Sequence, residues 1–182
     1  MRKARQSSLY SLVFCSLFLF CLPAGPVTFI RMGVAPDFGG IVDGRFFRLY
    51  KHRDKVVFLD FFSVLGSEIA DLYERQYSPC EACLEHLRVL EKVYQALKSR
   101  DDVIVMGISV DFRTEWVKKV LKDNNLSFPI VYDPERLIMR DYEVEQMPTS
   151  FLIKDLYVKA IGKGAKSMEC YLQRIMNVTE KE

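Results

Sequence analysis

The chain has 182 residues, 49% of them hydrophobic and 27% charged, with a net charge of +2. Arg2, Lys3 and Arg5 carry positive charge outside the expected domain, which leaves that domain close to neutral and gives no support for nucleic-acid binding. The cysteines are too few and too scattered for a disulfide framework, and the length suits one globular domain of about 150 residues with an N-terminal extension.

Residues 1–30 are expected to be a targeting segment rather than part of the fold. The basic start precedes Leu9–Leu22, nearly all apolar, and Leu22-Pro23-Ala24-Gly25 breaks the run as a signal peptide does. Continued to Ile30, the stretch is about 22 uncharged residues, long enough to span a bilayer. A cleaved signal peptide and an N-terminal membrane anchor are therefore both open. Either one exports the domain, and an anchor would leave the basic end in the cytoplasm.

The folded part, residues 34–178, opens at Ala35-Pro36-Asp37-Phe38. Asp43-Gly44 is a tight-turn signal ahead of Arg45–Leu49 and predicts a small β-hairpin. Val56–Phe62 reads as a buried strand. The link Ser63–Pro79 contains helical spacing over Ser67–Tyr77, capped by Ser67. A helix then runs from Cys80-Glu81-Ala82-Cys83 to about Ser99, with Leu84, Leu87, Leu90, Val93, Tyr94 and Leu97 in helical period. Val103–Val110 is another buried strand, Arg113–Asn124 a helix, Phe128–Tyr132 a short extended piece and Glu135–Tyr142 a brief helix. Met147-Pro148-Thr149-Ser150 leads into the strand Phe151-Leu152-Ile153, Asp155 marks a turn, Val158–Ile161 returns, and Ser167–Val178 closes as a helix. This order predicts an α/β fold with a central mixed sheet flanked by helices.

Cys80 and Cys83 open a helix that follows a buried strand, and this setting makes the tetrapeptide a redox motif. Unpaired N–H groups and the positive end of the helix dipole favour the thiolate of Cys80. Cys83, one turn on, can attack a mixed disulfide and resolve it. The competing readings are half of a zinc site or a structural disulfide. A zinc site needs further ligands, and only His52, His86 and the distant Cys170 are on offer, so no metal is expected. Cys170 itself reads as a buried structural thiol.

Taken together, Ala35-Pro36-Asp37-Phe38, Val56–Phe62, Cys80-Glu81-Ala82-Cys83, Phe128-Pro129-Ile130-Val131-Tyr132-Asp133, Tyr142-Glu143-Val144, Met147-Pro148-Thr149-Ser150-Phe151-Leu152-Ile153 and Gly162 resemble the TlpA/ResA branch of exported thioredoxin-like thiol–disulfide oxidoreductases. The resemblance implies a thioredoxin-like fold and a redox-active disulfide between Cys80 and Cys83. It implies that Pro148 is the cis-proline facing the pair, with Met147 and Thr149 beside it in the substrate-binding loop. It further implies disulfide-containing exported proteins as partners, a membrane thiol reductant, no cofactor, and reduction as the expected direction, as in cytochrome c maturation.

Three features depart from that pattern. Seventeen residues separate the strand from Cys80, with Pro79 directly before it. The acidic residue common three places after the second cysteine is replaced by His86, with Glu85 beside it. His86, with Glu85 as a second candidate, is then either a proton shuttle, its unperturbed pKa of about 6.5 being suitable, or a half-exposed helix residue. The helix-kinking proline is absent near Arg88 and Val89.

The alternatives are a thiol peroxidase and a non-enzymatic, membrane-tethered binding module. Neither cysteine has the Pro-x-x-x-Thr/Ser-x-x-Cys setting of a peroxiredoxin, no histidine follows His86 as a Sco-type copper site needs, and Leu84 stands where covalent haem attachment needs histidine.

Overall fold

A computed structural model of the chain describes residues 33–64 and 81–164. The segment 1–30 and the predicted helices Ser67–Tyr77 and Ser167–Val178 lie outside the described residues.

Apolar runs become the strands of one five-stranded sheet. The strands are β3 (Val56–Phe62), β4 (Val103–Ser109), β5 (Ile130–Tyr132), β6 (Thr149–Lys154) and β7 (Tyr157–Lys163), ordered β5-β4-β3-β6-β7. β3, β4 and β5 are parallel, while β6 and β7 are antiparallel, so the sheet is mixed as expected. β3 is central and buried along its whole length, which is why it reads as an unbroken apolar run. A separate hairpin, β1 (Gly39–Val42) with β2 (Arg45–Arg48), precedes it. Its turn has positive φ at both Asp43 and Gly44, the geometry Asp-Gly supplies and the one that matches strand twist.

Alternation along β3 splits the core into two layers. Val56, Phe58 and Phe62 pack under Leu84, Leu87, Leu90, Val93 and Leu97 of α1 (Glu81–Leu97) and under Val117 and Val120 of α2 (Thr114–Asp123). Val57, Leu59 and Phe61 face the other way, onto Phe38, Phe47, Tyr142 and Phe151, beside α3 (Leu137–Asp141). Helices thus cover both faces.

Gly107 on β4 marks where the first layer is tightest. A Cβ there would lie 2.6 Å from Phe62 and 3.0 Å from Phe128, whose rings meet edge to face. Gly107→Ala is expected to lower stability by roughly 1–3 kcal/mol by overpacking, read as a lower denaturation midpoint with an unchanged slope.

β5 is shorter than its sequence suggests because Pro129 has no N–H to give the ladder, although its carbonyl still accepts from Gly107 N–H at 2.9 Å. The loop before it is held by Glu91 of α1, whose carboxylate accepts from the N–H groups of Ser127 and Phe128 at 2.6 and 3.1 Å. Burial pushes the Glu91 carboxyl up, but these bonds and that of Gln95 outweigh it and hold it below the ordinary 4.5. Folding therefore gains stability from the ionised form above about 4.5 and loses it as pH falls further. Glu91→Gln should cost roughly 1 kcal/mol at neutral pH, discounted for exposure. Its denaturation curve should converge with the wild type's in acid.

Candidate functional site

The site is built where the parallel strands end and α1 begins. Glu81 opens α1, Cys83 lies in its first turn and is half-buried, and Cys80 precedes Glu81 in the chain, outside the described residues. Unpaired N–H groups concentrate at such a helix start.

β3 delivers its C-terminal end to this corner. Asp111, just past β4, is buried and fastens the exit of β3. One of its oxygens accepts from the Ser63 hydroxyl at 2.7 Å, and the other accepts from Val64 N–H and the Ser109 hydroxyl, both at 3.0 Å. The backbone adds Val110 N–H to Phe62 O at 3.1 Å. The exit of β3 is therefore a fixed point.

The loop before β6 carries the other residues predicted for the site. The Met147–Pro148 peptide is cis, and both residues are half-buried. Met147 packs against the second core layer, and Pro148 O accepts from Gly164 N–H at 2.9 Å. Thr149 is buried, and its hydroxyl donates to Gln146 O at 2.6 Å, so its side chain closes the loop rather than facing outward.

Beneath α1 lies a polar trio. Asp60 on β3 is fully buried, His86 is 1% exposed, and Ser150 on β6 is 1% exposed. His86 Nε2 lies 2.6 Å from Asp60 Oδ2, and the Ser150 hydroxyl donates to Asp60 Oδ1 at 2.6 Å. Asp60 and Ser150 face each other in the β3–β6 register. The half-exposed reading of His86 is thereby corrected: the residue lies on the core side of α1, where Leu87 and Leu90 also pack. Glu85 is exposed.

Asp60 was the residue to miss, since nothing in its local spacing marks it. Its one sequence signal is a carboxylate inside a strand buried on both faces, a place where charge is kept only if paired. A buried ion pair or its neutral equivalent is weak evidence for stability. The partner of Asp60, His86, stands on α1 three residues after Cys83.

Among the described residues no group of three or more His, Cys, Asp or Glu is arranged to hold a metal ion, and no helix is long and apolar enough to cross a membrane.

The AhpC/TSA family model matches residues 33–160, which span the hairpin, the sheet through most of β7, and α1 to α3. The thiol-disulfide oxidoreductase ResA of Geobacillus thermodenitrificans is 30% identical over 146 residues, covering 79% of this chain and 75% of its own. Of solved structures, the thioredoxin domain of a thiol-disulfide oxidoreductase from Bacteroides vulgatus superposes with a TM-score of 0.63 at 20% identity, over 81% of this chain and 99% of that one. StoA from Bacillus subtilis gives 0.60 at 21% identity, over 77% and 96%. The solved structures carry the fold, and the family match and the ResA relative carry the kinship. The chain belongs to the AhpC/TSA family, as a thioredoxin-fold thiol–disulfide oxidoreductase of the ResA type.

Proposed function

We propose that this enzyme acts on the extracytoplasmic side of a membrane, reducing disulfides in exported proteins through Cys80 and Cys83. The observation that carries the reading is the position of Cys83: half-buried in the first turn of α1, the helix whose His86 meets Asp60 of β3. Cys80 thiolate attacks the partner's disulfide, and the leaving sulfur departs as a thiolate. Cys83 then attacks the Cys80 sulfur, releasing the reduced partner and leaving a Cys80–Cys83 disulfide. A membrane thiol reductant returns two electrons and restores the dithiol. His86 accepts and returns the Cys83 proton, while Glu85, in solvent, stays outside this path. Met147 and Pro148 offer backbone to an extended partner segment, with Thr149 holding the loop closed behind them. Envelope proteins such as cytochrome c precursors fit the substrate class, and residues 1–30 direct the domain there, cleaved or as an anchor.

The nucleophile assignment is tested by alkylating the reduced protein at mildly acidic pH and locating the label by mass spectrometry. Label on Cys80 ahead of Cys83 is the expected result. Preferential labelling of Cys83 would reverse the roles. Cell fractionation tests the compartment: protein starting near Gly25 in the soluble extracytoplasmic fraction means cleavage, and full-length protein in membranes means an anchor. Full-length soluble protein in the cytoplasm would defeat both.

A further inference from the structure

His86 presents two nitrogens, and its surroundings treat them differently. Nε2 has a carboxylate oxygen of Asp60 at 2.6 Å, whereas Nδ1 is buried without a hydrogen-bond partner among the described residues. We infer that Asp60, supported by Ser150, is a positioning residue that accepts from His86 and fixes it as the Nε2–H tautomer, leaving Nδ1 as the lone pair that takes the Cys83 proton. This rests on the reading of Cys80 and Cys83 given above, and adds to it the residue that decides which nitrogen serves.

The hydrogen-bond inventory leads there. Asp60 Oδ1 already accepts from the Ser150 hydroxyl at 2.6 Å, a bond that suits an ionised carboxylate, which is acceptor-only. A proton shared between a carboxylate and an imidazole belongs to the imidazole, the stronger base. With one proton on the pair, that proton is on Nε2 and donates to Asp60. The opposite tautomer would bury an N–H donor with no acceptor, the rarer and costlier kind of orphan. Cys83 precedes His86 by three residues on α1, a spacing that makes them neighbours on the helix surface, about 5–6 Å between Cβ atoms.

The resolving step then balances. Nδ1 takes the proton of the Cys83 thiol while the sulfur's electron pair attacks Cys80 Sγ. The Cys80–Cys83 bond forms as the bond from Cys80 to the partner breaks, and the partner sulfur leaves with that electron pair. The partner's disulfide has gained two electrons and the pair has lost two. His86, now an imidazolium, is held against the Asp60 carboxylate until it passes the proton to the departing thiolate or to water. Among the described residues Asp60 is the titratable group whose contact with His86 is seen, and Cys83 stands one turn before it on α1. From β6 the Ser150 hydroxyl reaches Asp60, and Glu85 and Arg88 stand at exposed positions of the same helix as His86.

The test uses the full chain with Cys15, Cys21 and Cys170 changed to Ser, reacted with dithionitrobenzoate. Attack by Cys80 releases the first thionitrobenzoate, and resolution by Cys83 releases the second. In Asp60→Asn the second release should slow about a hundredfold at neutral pH, the lower end of what a positioned base contributes. Its rate should also climb with pH where the wild type's is flatter, because solvent must then make the thiolate. Nitrogen-15 spectra of His86 should show Nε2–H and a bare Nδ1 in the reduced wild type, with Nδ1 protonated in Asp60→Asn. Second release from Asp60→Asn at the wild-type rate and pH profile would overturn the inference. So would an Nδ1–H tautomer in the wild type, a reading that stands even if Asp60→Asn fails to fold. Absence of any second release from the wild type would instead overturn the assignment of Cys80 and Cys83.

Discussion

Cys83→Ser should accumulate a mixed disulfide joining Cys80 to its partner protein, whereas Cys80→Ser should form none. The asymmetry follows from the order of the residues along α1. In the proposed mechanism Cys80, which precedes the helix in the chain, makes the first attack, and Cys83, half-buried in the first turn, resolves it. An intramolecular thiol in good geometry acts at an effective concentration above molar, so a millimolar external thiol should clear the mixed disulfide at least about a thousandfold more slowly. The adduct is read on non-reducing gels and by mass spectrometry of the crosslinked peptides, which also identifies the partner. Equal trapping by both variants would show that the two sulfurs have no fixed roles.

The second large effect concerns stability. Asp60→Ala should cost about 3–5 kcal/mol, because it leaves the buried His86 and the Ser150 hydroxyl facing a partner that is gone. The triple change Asp60→Ala, His86→Leu, Ser150→Ala removes every polar member at about constant volume and should recover most of the loss, since a dry, well-packed replacement of a buried pair is often neutral or better. Chemical denaturation at neutral pH compares the three proteins. A triple variant that is stable yet resolves mixed disulfides slowly would place the value of the trio in chemistry. A single variant within about 1 kcal/mol of the wild type would mean the pair is not closely coupled.

The strands were legible because the sheet demands long apolar runs. Val56–Phe62 and Val103–Ser109 lie centrally, buried on both faces, and Asp43-Gly44 needs only its own two residues to form its turn. The cysteine helix was legible from the periodic leucines that cover β3. Features set by distant partners were not. Asp60 and His86 are 26 residues apart in the chain and meet only when α1 packs on β3. The β6–β7 turn uses positive φ at both Asp155 and Leu156. A leucine tolerates this here because its carbonyl accepts from Ala35 N–H at 2.7 Å and its side chain joins the second core layer. Asp133 looked like the end of a strand, yet its carboxylate also caps α3 through the N–H groups of Leu137 and Met139 at 2.8 and 2.9 Å. In each case a short polar or ambiguous residue takes its role from a contact that local spacing does not encode.

Equilibrating the full chain in glutathione buffers of graded potential, then alkylating and weighing the cysteine peptides, tests the central claim most directly. Cys80 and Cys83 should lose their thiols together in one two-electron transition, with a midpoint near that of thioredoxin, about −270 mV, as a reductase requires. Thiols on Cys80 and Cys83 that persist in the most oxidising buffer, or that take up glutathione independently of each other, would contradict it.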